Sequence, residues 1–376
     1  MLLARGKTAI SSDSLPKGAT RQTMPTMSFL SLHWREIEDL YLLRMAGSSE
    51  PRRDLQRHGL LDLERMDSAT FYRSFRFQKA DLDDLTAALL IPEEVESAQR
   101  VRVAGREALC MTLRRLADPN RLCDLEVLFS RHSSVISSVV GKVLSHIEYH
   151  FGHLLADLTA HRWLNVQNLE LFSRAVHKKK AALKNCWAFI SATARRISRP
   201  LIGQQEQSSG HRLHRSQKYQ AVICPNGMIC QLDGPFRGQR RDAGILKETA
   251  LYANLEKVAQ GHEYVIYGGP TYPLLPLLFT PFDGTCLQPY EAHFNKCMGT
   301  VQQAVEVGLD KVAADFAFVD FQRNAKMTHQ RVGRMYKVAT LLSNCRTCLY
   351  GSQVSAHFDL APPSLGEYLV PFQALS

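Results

Sequence analysis

Two cysteines near the end of the chain have the spacing with which thiolates bind metal. Cys345 and Cys348 form a Cys-x-x-Cys pair, as in many zinc sites. No second Cys or His pair accompanies them, and they fall within an apolar stretch predicted to be a helix. The pattern therefore favours a packed helix end over a zinc site. Cys224 and Cys230 flank a predicted hairpin and could lie opposite each other, but a disulfide is not expected in a reducing compartment.

Positive charge is concentrated in the middle of the chain. Residues 101–200 hold 16 Lys and Arg against 7 Asp and Glu, an excess of +9 in a chain whose net charge is +10. Such a block suggests a surface that faces a polyanion, because phosphate neutralisation supplies most of the non-specific affinity for DNA. The alternative is a solvated basic face that keeps the protein soluble.

The most compact basic cluster is Lys178, Lys179, Lys180 and Lys184. A segment of this kind can follow a phosphate backbone, act as a nuclear localisation patch, or form an ordinary solvated loop. Two histidines further along, His211 and His214, could contact a phosphate, although hydrogen bonding within their own loop is the favoured interpretation.

Composition limits the class of protein. No run approaches the ~20 apolar residues that span a bilayer, so no membrane partner is expected. The first ten residues lack the apolar segment of a secretory signal. Nine cysteines without framework spacing suit a reducing compartment, and we expect a nuclear location, with the cytoplasm as a further one.

Five segments are predicted along the chain. The first is a disordered tail rich in Ser, Thr, Pro and Gly, and a helical region follows in which Trp34, Ile37, Leu40 and Tyr41 recur at helical spacing. The predicted bounds are 1–30 for the tail, 31–165 for the helical region, 166–186 for a basic linker, 187–355 for an α/β domain and 356–376 for a C-terminal tail.

The helical region contains a helix-turn-helix-like segment at 105–147. Helices are predicted at 105–117 and 122–129, separated by an Asp-Pro-Asn turn, and a third begins near Ser133, with Ser133 or Ser134 as its cap. One face of the third helix is apolar. The predicted outward face, available to a groove or to phosphates, consists of Ser134, Ser137, Ser138, Lys142 and His146. A helical scaffold that touches no DNA explains the same pattern.

Beyond residue 186 the pattern changes to strands. Strands are predicted at 187–191, 218–224 and 228–232, with an Asn-Gly type I′ turn between the last two. Helices and one further buried strand follow. This order predicts an α/β, ribonuclease H-like nuclease domain preceded by an all-α, helix-turn-helix-like region.

Several segments between about residues 100 and 355 resemble Harbinger-type DDE transposases. The segment beginning Cys186-Trp187 resembles the first catalytic strand of that family, Trp-Gly-Phe-Ile-Asp-Gly-Thr, which here runs into a small-residue turn and an arginine pair. The other similar segments, in the family's order, are 114–122, 209–211, 234–235, 238–246, 267–273, 302–309 and 340–351. The resemblance implies descent from a metal-dependent DNA endonuclease.

The resemblance also implies which residues would carry the chemistry. Its four acid positions fall on Ser191, Asp242, Gly269 and Glu306, so only Asp242 and Glu306 can bind a cation. The residue before the second acid, usually His in the family, is Arg241. Two Mg²⁺ or Mn²⁺ ions held by such carboxylates would activate water and stabilise the leaving oxygen. With two ligands lost, we expect weakened metal binding and impaired catalysis.

Three hypotheses follow. The first is a transposase-derived protein that has lost cleavage and retains at most DNA binding. The second is an active Mg²⁺-dependent nuclease in which another acid, Asp233, Asp283 or Asp310, completes the site. The third is a protein-interaction module, since the resemblance implies a separate Myb-like DNA-binding partner that the helical region would dock.

Overall fold

The computed structural model describes residues 61–196, 216–320 and 329–372, all of which lie in one compact unit, residues 52–376. The predicted tail at 1–30, the helical start around Trp34, and both His211 and His214 lie outside the described residues.

Helices dominate the first half of the described chain. Two short helices come first, and three longer ones follow where the helix-turn-helix-like segment was predicted. The bounds are α1 Ser68–Phe75, α2 Leu82–Ala88, α3 Gly105–Ala117, α4 Leu122–Phe129 and α5 Ser133–Phe151. The cap of α5 is His132, whose Nδ1 accepts a hydrogen bond from the Ser134 amide, so the predicted serine cap is wrong. Arg131 bonds Glu107 across 2.7 Å and holds the α4–α5 turn against α3.

The described helical region is not all-α. A pair of three-residue antiparallel strands, β1 Glu94–Glu96 and β2 Arg102–Ala104, separates α2 from α3. This small ribbon packs against α3 and α5 and buries Val95 and Val103. It therefore covers part of the helical surface that the sequence predicted to be free.

The main sheet has five strands in the order β5-β4-β3-β6-β7. Strand β4 pairs antiparallel with both β5 and β3. Strand β6 pairs parallel with β3, and β7 pairs parallel with β6 at the edge of the sheet. This arrangement is compatible with a ribonuclease H-like fold. The strand bounds are β3 Cys186–Arg196, β4 Ser216–Ile223, β5 Ile229–Arg237, β6 Val265–Gly268 and β7 Leu278–Phe279.

Strand β3 is longer than predicted. The expected small-residue turn after Ser191 does not form, because Ala192 and Ala194 pair with Gln220 and Lys218 of β4. Arg195, from the predicted arginine pair, is buried, with its guanidinium over the Tyr336 ring.

The β4–β5 hairpin turns at Pro225, Asn226 and Gly227. The Gly227 amide donates to the Cys224 carbonyl at 2.9 Å, and only Gly227 of the Asn-Gly pair has a positive φ, 84°. A type I′ turn needs positive φ at both residues, so that prediction is wrong. Cys224 and Cys230 do lie opposite each other, with their sulfurs 2.8 Å apart and both side chains buried.

Helices cover both halves of the sheet. Helix α7, Val166–Lys178, packs against β3, and α10, Pro289–Asp315, contacts β3, β4 and β6. The remaining helices are α6 His153–Ala156, α8 Asp242–Glu248, α9 Leu251–Ala259, α11 His329–Tyr350, α12 Gln353–Phe358 and α13 Leu365–Tyr368. One hydrophobic core runs from Phe71 to Leu369 and joins the helical region to the sheet.

Two predicted segments are therefore corrected. The interval 166–186, predicted as a linker, begins with helix α7, whose residues Leu169, Phe172 and Val176 are buried. The interval 356–376, predicted as a tail, contains α13, whose Tyr368 is fully buried. Tyr368 accepts a hydrogen bond from Asn344 of α11, and the same amide bonds both backbone groups of Ile229. The chain end is thereby held to the sheet through a satisfied buried amide.

None of the helices within the described residues is both long enough and apolar enough to cross a bilayer.

Candidate active site

Two of the four acid positions lie side by side where β6 ends against the middle of the parallel strand β3. Ile190 pairs with Gly268, so Ser191 and Gly269 are the next residues on adjacent strands. Because the two positions follow a paired residue on neighbouring parallel strands, they lie close together at the point where β6 ends.

Glu306 reaches this edge from α10. Its Oε1 accepts hydrogen bonds from the Ser191 hydroxyl and from the Gln302 amide, both at 2.9 Å. Ser191 lies 115 residues before Glu306 in the chain, and the fold brings them into direct contact. The serine at the first acid position therefore donates a hydrogen bond where an aspartate would repel the glutamate.

Asp242 is the first residue of α8 and is buried, with 8% of its surface exposed. Its Oδ1 lies 2.6 Å from the Lys218 ammonium, and its Oδ2 accepts a hydrogen bond from the Thr271 hydroxyl at 2.5 Å. Lys218 Nζ also donates to the Arg240 carbonyl at 3.0 Å. Oδ2 is thus hydrogen-bonded, whereas Oδ1 has the ammonium of Lys218 as an ion-pair partner but accepts no hydrogen bond from the described residues.

Tyr272 connects the acids electrostatically. It is buried, and its hydroxyl has no hydrogen-bond partner among the described residues. Burial raises the pKa of the phenol, and the carboxylates of Asp242, Asp233 and Glu306 raise it further, in that order. The three carboxylates therefore all act on the same buried phenol.

Asp233 is the acid best placed to replace a lost ligand. It lies on β5 opposite Gln220, and its carboxylate accepts hydrogen bonds from Gln220 and Gln231. Burial raises its pKa to about 6, against the lowering effect of those two amides. The other two acids proposed as substitutes face elsewhere: Asp283 is exposed in the loop before α10, and Asp310 is exposed and lies 3.9 Å from Arg195.

The donor set does not fit a two-metal site. Two of the four acid positions carry no carboxylate, Lys218 and Thr271 engage Asp242, and Ser191 and Gln302 engage Glu306. Across the three described stretches of chain, no three His, Cys, Asp or Glu side chains come together as a group able to hold a metal ion. We therefore derive no catalytic step through a metal in this chain.

The proposed DNA-reading face of α5 is largely covered. Ser138 is buried and its hydroxyl accepts a hydrogen bond from the Ala98 amide, and His146 is hydrogen-bonded to the Leu89 carbonyl. The prediction that Ser138 faces outward is wrong, because the ribbon β1–β2 packs on it, and His146 is half-buried against the end of α2. Ser134 and Ser137 are half-buried, and Lys142 is exposed.

The four clustered lysines lie at the other end of the sheet. Lys178, Lys180 and Lys184 are exposed and Lys179 is half-buried, between the end of α7 and the start of β3. Ser191 lies five residues into that strand, about 17 Å along it at ~3.3 Å per residue. The lysines and the acid positions are therefore separate candidate sites.

Part of the central positive charge is paired with acids, and three arginines of the segment have partners from elsewhere in the chain. Ion pairs between described residues engage six arginines of the 101–200 segment, and partners such as Glu64, Asp83 and Asp320 come from outside it. The six are Arg102, Arg106, Arg114, Arg131, Arg174 and Arg195. No ion pair between described residues involves the four clustered lysines, which makes them the better phosphate candidates.

Sequence reasoning missed three residues of the site, namely Lys218, Thr271 and Tyr272. Thr271 and Tyr272 belong to the segment at 267–273 that resembles the family's third acid segment. The resemblance could therefore have placed both residues near the site. The sequence indicated Lys218 less clearly. It is a charged residue near the start of a strand whose following residues, Tyr219 to Ile223, are all buried.

The Cys-x-x-Cys pair packs at a helix end. Cys345 is fully buried on α11, and burial raises the pKa of Cys348 to about 12. Zinc needs thiolates, which such burial disfavours. The Cys348 sulfur instead contacts the Met228 sulfur at 3.9 Å.

The sheet order, with Ser191 of β3 beside the end of β6, is compatible with a ribonuclease H-like DDE nuclease domain. Residues 190–344 match the family model described as DDE superfamily endonuclease, a superfamily that generally uses divalent metals. Protein ALP1-like from Arabidopsis thaliana is 22% identical over 269 residues, covering 65% of this chain and 63% of that protein.

These two matches confirm the resemblance to the Harbinger-type, transposase-derived DDE endonucleases. It spans less than two thirds of the length of the Arabidopsis relative. No solved structure gives a significant match to it.

Proposed function

We propose that this chain is a transposase-derived protein that binds nucleic acid and has lost metal-dependent strand cleavage. One observation carries the proposal: the Asp242 carboxylate is paired with Lys218, in a site where two further acid positions are Ser191 and Gly269. Losing one ligand-supporting residue typically costs 10–100-fold in activity, and losing two ligands costs more. A nuclear location is part of this proposal.

Binding is supported by the positive charge that remains. Beside the acid positions, Arg237 and Arg241 are exposed just before α8, whereas Arg240 is paired with Glu248 and Lys218 with Asp242. At the opposite end, the four lysines from Lys178 to Lys184 have no ion pair among the described residues. Both groups suit phosphate oxygens, which fix a backbone without reading its sequence.

The first test is a cleavage assay on supercoiled plasmid with about 10 mM Mg²⁺ or Mn²⁺. We expect no nicked or linear product above that of a protein-free control, because two carboxylates are absent and a third is neutralised. Metal-dependent nicking that disappears in an Asp242→Ala variant would overturn the proposal and show that another acid has taken over.

The second test concerns DNA affinity. Replacing Lys178, Lys179, Lys180 and Lys184 by Ala is expected to weaken binding to unrelated duplexes equally. It should flatten the slope of log affinity against log salt, by about 0.9 for each lost phosphate contact. Fluorescence anisotropy between about 0.05 and 0.2 M salt measures both effects.

The matched control for that test is Arg102→Ala with Arg174→Ala. Both arginines are exposed, at 72% and 74% of the side chain, but each is paired with a glutamate. Their removal should change the salt slope less than removal of an equal number of the lysines. An unchanged slope in the quadruple lysine variant would exclude this cluster as a phosphate contact.

A further inference from the structure

The ammonium of Lys218 is held in a partly buried position beside Asp242. Its side chain is 18% exposed and that of Asp242 10%, so the pair is mostly shielded from water. Nζ lies 2.6 Å from Oδ1 of Asp242 and 3.0 Å from the Arg240 carbonyl oxygen. A lysine on an exposed strand would leave its flexible ammonium in water, whereas this one is held by two oxygen atoms.

The same contacts show what the ammonium replaces. A carboxylate buried to this degree needs a compensating charge. In a metal-dependent site that charge comes from a divalent cation, which also requires further carboxylate oxygens. Here the chain supplies the charge from β4 and supplies a hydroxyl donor, Thr271, to the other oxygen. A single ammonium satisfies one carboxylate without any further ligand.

We propose that Lys218 is a resident cation that neutralises Asp242 in place of a divalent metal and keeps metal from that carboxylate. The inference rests on the proposed loss of cleavage, since it explains how the retained acid stays buried in a site that holds no set of metal ligands. It also gives Asp242 a structural role: the carboxylate joins β4, the start of α8 and the loop after β6.

The test uses four variants of the full chain, the fourth being Asp242→Asn alone, and their thermal denaturation with and without about 10 mM Mn²⁺. Lys218→Met removes the charge and keeps the length of the stem, Lys218→Arg keeps the charge, and Lys218→Met with Asp242→Asn removes both charges. Without metal, Lys218→Met should lower the melting temperature by several degrees, because it leaves a buried charge unpaired. The double variant should recover much of that loss.

Added Mn²⁺ separates a resident cation from an ordinary ion pair. The native chain, Lys218→Arg and the double variant should show no metal-dependent rise in melting temperature. Lys218→Met should show a rise of about 3 °C, as expected for a site occupied at roughly ten times its dissociation constant. If Lys218→Met does not fold, the double variant is compared with Asp242→Asn alone. The two should be about equally stable, because Lys218 has no carboxylate to neutralise in either.

Three results would overturn the inference. One is a Lys218→Met protein with native stability, and another is a double variant much less stable than Asp242→Asn, which would give Lys218 a role independent of Asp242. The third is the same Mn²⁺ response with and without Lys218. Nicking by the native protein would instead overturn the proposed loss of cleavage, so the two failures are distinguishable.

Discussion

Replacing Ser191 and Gly269 by aspartate together is expected to produce a protein whose thermal stability depends on Mn²⁺. The native sequence should show no such dependence. The double variant places an acid at each of the four positions of the DDE pattern, and the fold determines whether those acids converge.

The contacts of the site give the expected size of the effect. Ser191 Oγ lies 2.9 Å from Glu306 Oε1, so an aspartate at position 191 would bring two carboxylates close together. Two like charges 4 Å apart repel by about 4 kcal/mol at an effective dielectric constant of about 20. Position 269 has room for a side chain, because a Cβ built there meets no atom within 4 Å. The variant should therefore be less stable than the native protein without metal.

Metal should restore that stability by linkage of binding to folding. At one hundred times the dissociation constant, a bound ion contributes about 2.7 kcal/mol. Melting curves with and without millimolar Mn²⁺ measure the gain, with the native chain as control. Adding Lys218→Met should enlarge it, since the ammonium competes with the ion for Asp242. If neither variant gains more than the control, the four positions do not converge and the site assignment is wrong.

The helix predictions show which information is local. The observed helices Gly105–Ala117 and Leu122–Phe129 have the predicted bounds, because apolar periodicity and an Asp-Pro turn are encoded within the segment itself. The start of α5 was misassigned to a serine cap since His132 is an unusual cap, although its ring nitrogen bonds the Ser134 amide as a serine oxygen would.

Predictions that depended on distant partners were less successful. Strand β3 continues past Ser191 because β4 pairs with it, and no signal near Ala192 reports that pairing. The outward face of α5 was wrong at Ser138 for the same reason, since Ala98 lies 40 residues away. Lys218 and Asp242 are 24 positions apart on different elements, so the neutralised carboxylate could not be predicted from either residue alone.

The two adjacent glycines at the end of β6 should respond very differently to the same substitution. Gly268→Ala is expected to destabilise the protein by about 1–3 kcal/mol, as overpacking of a dense core does. A Cβ at position 268 would lie 2.6 Å from the Cγ2 of Ile190 and 3.0 Å from the Cδ2 of Tyr272. Ile190 is fully buried and β-branched, so it has little freedom to move away.

Gly269→Ala is the matched control, because the same methyl group enters open space one residue later. It should change the free energy of unfolding by no more than about 0.5 kcal/mol. Chemical denaturation of the two variants and the native chain gives both values. A large loss at 268 with little change at 269 would support the site assignment: the residue that replaces the family's third acid is the one with space for a side chain at the strand end. Equal losses at both positions would mean that Gly269 is enclosed, and an aspartate there could not reach Asp242 and Glu306.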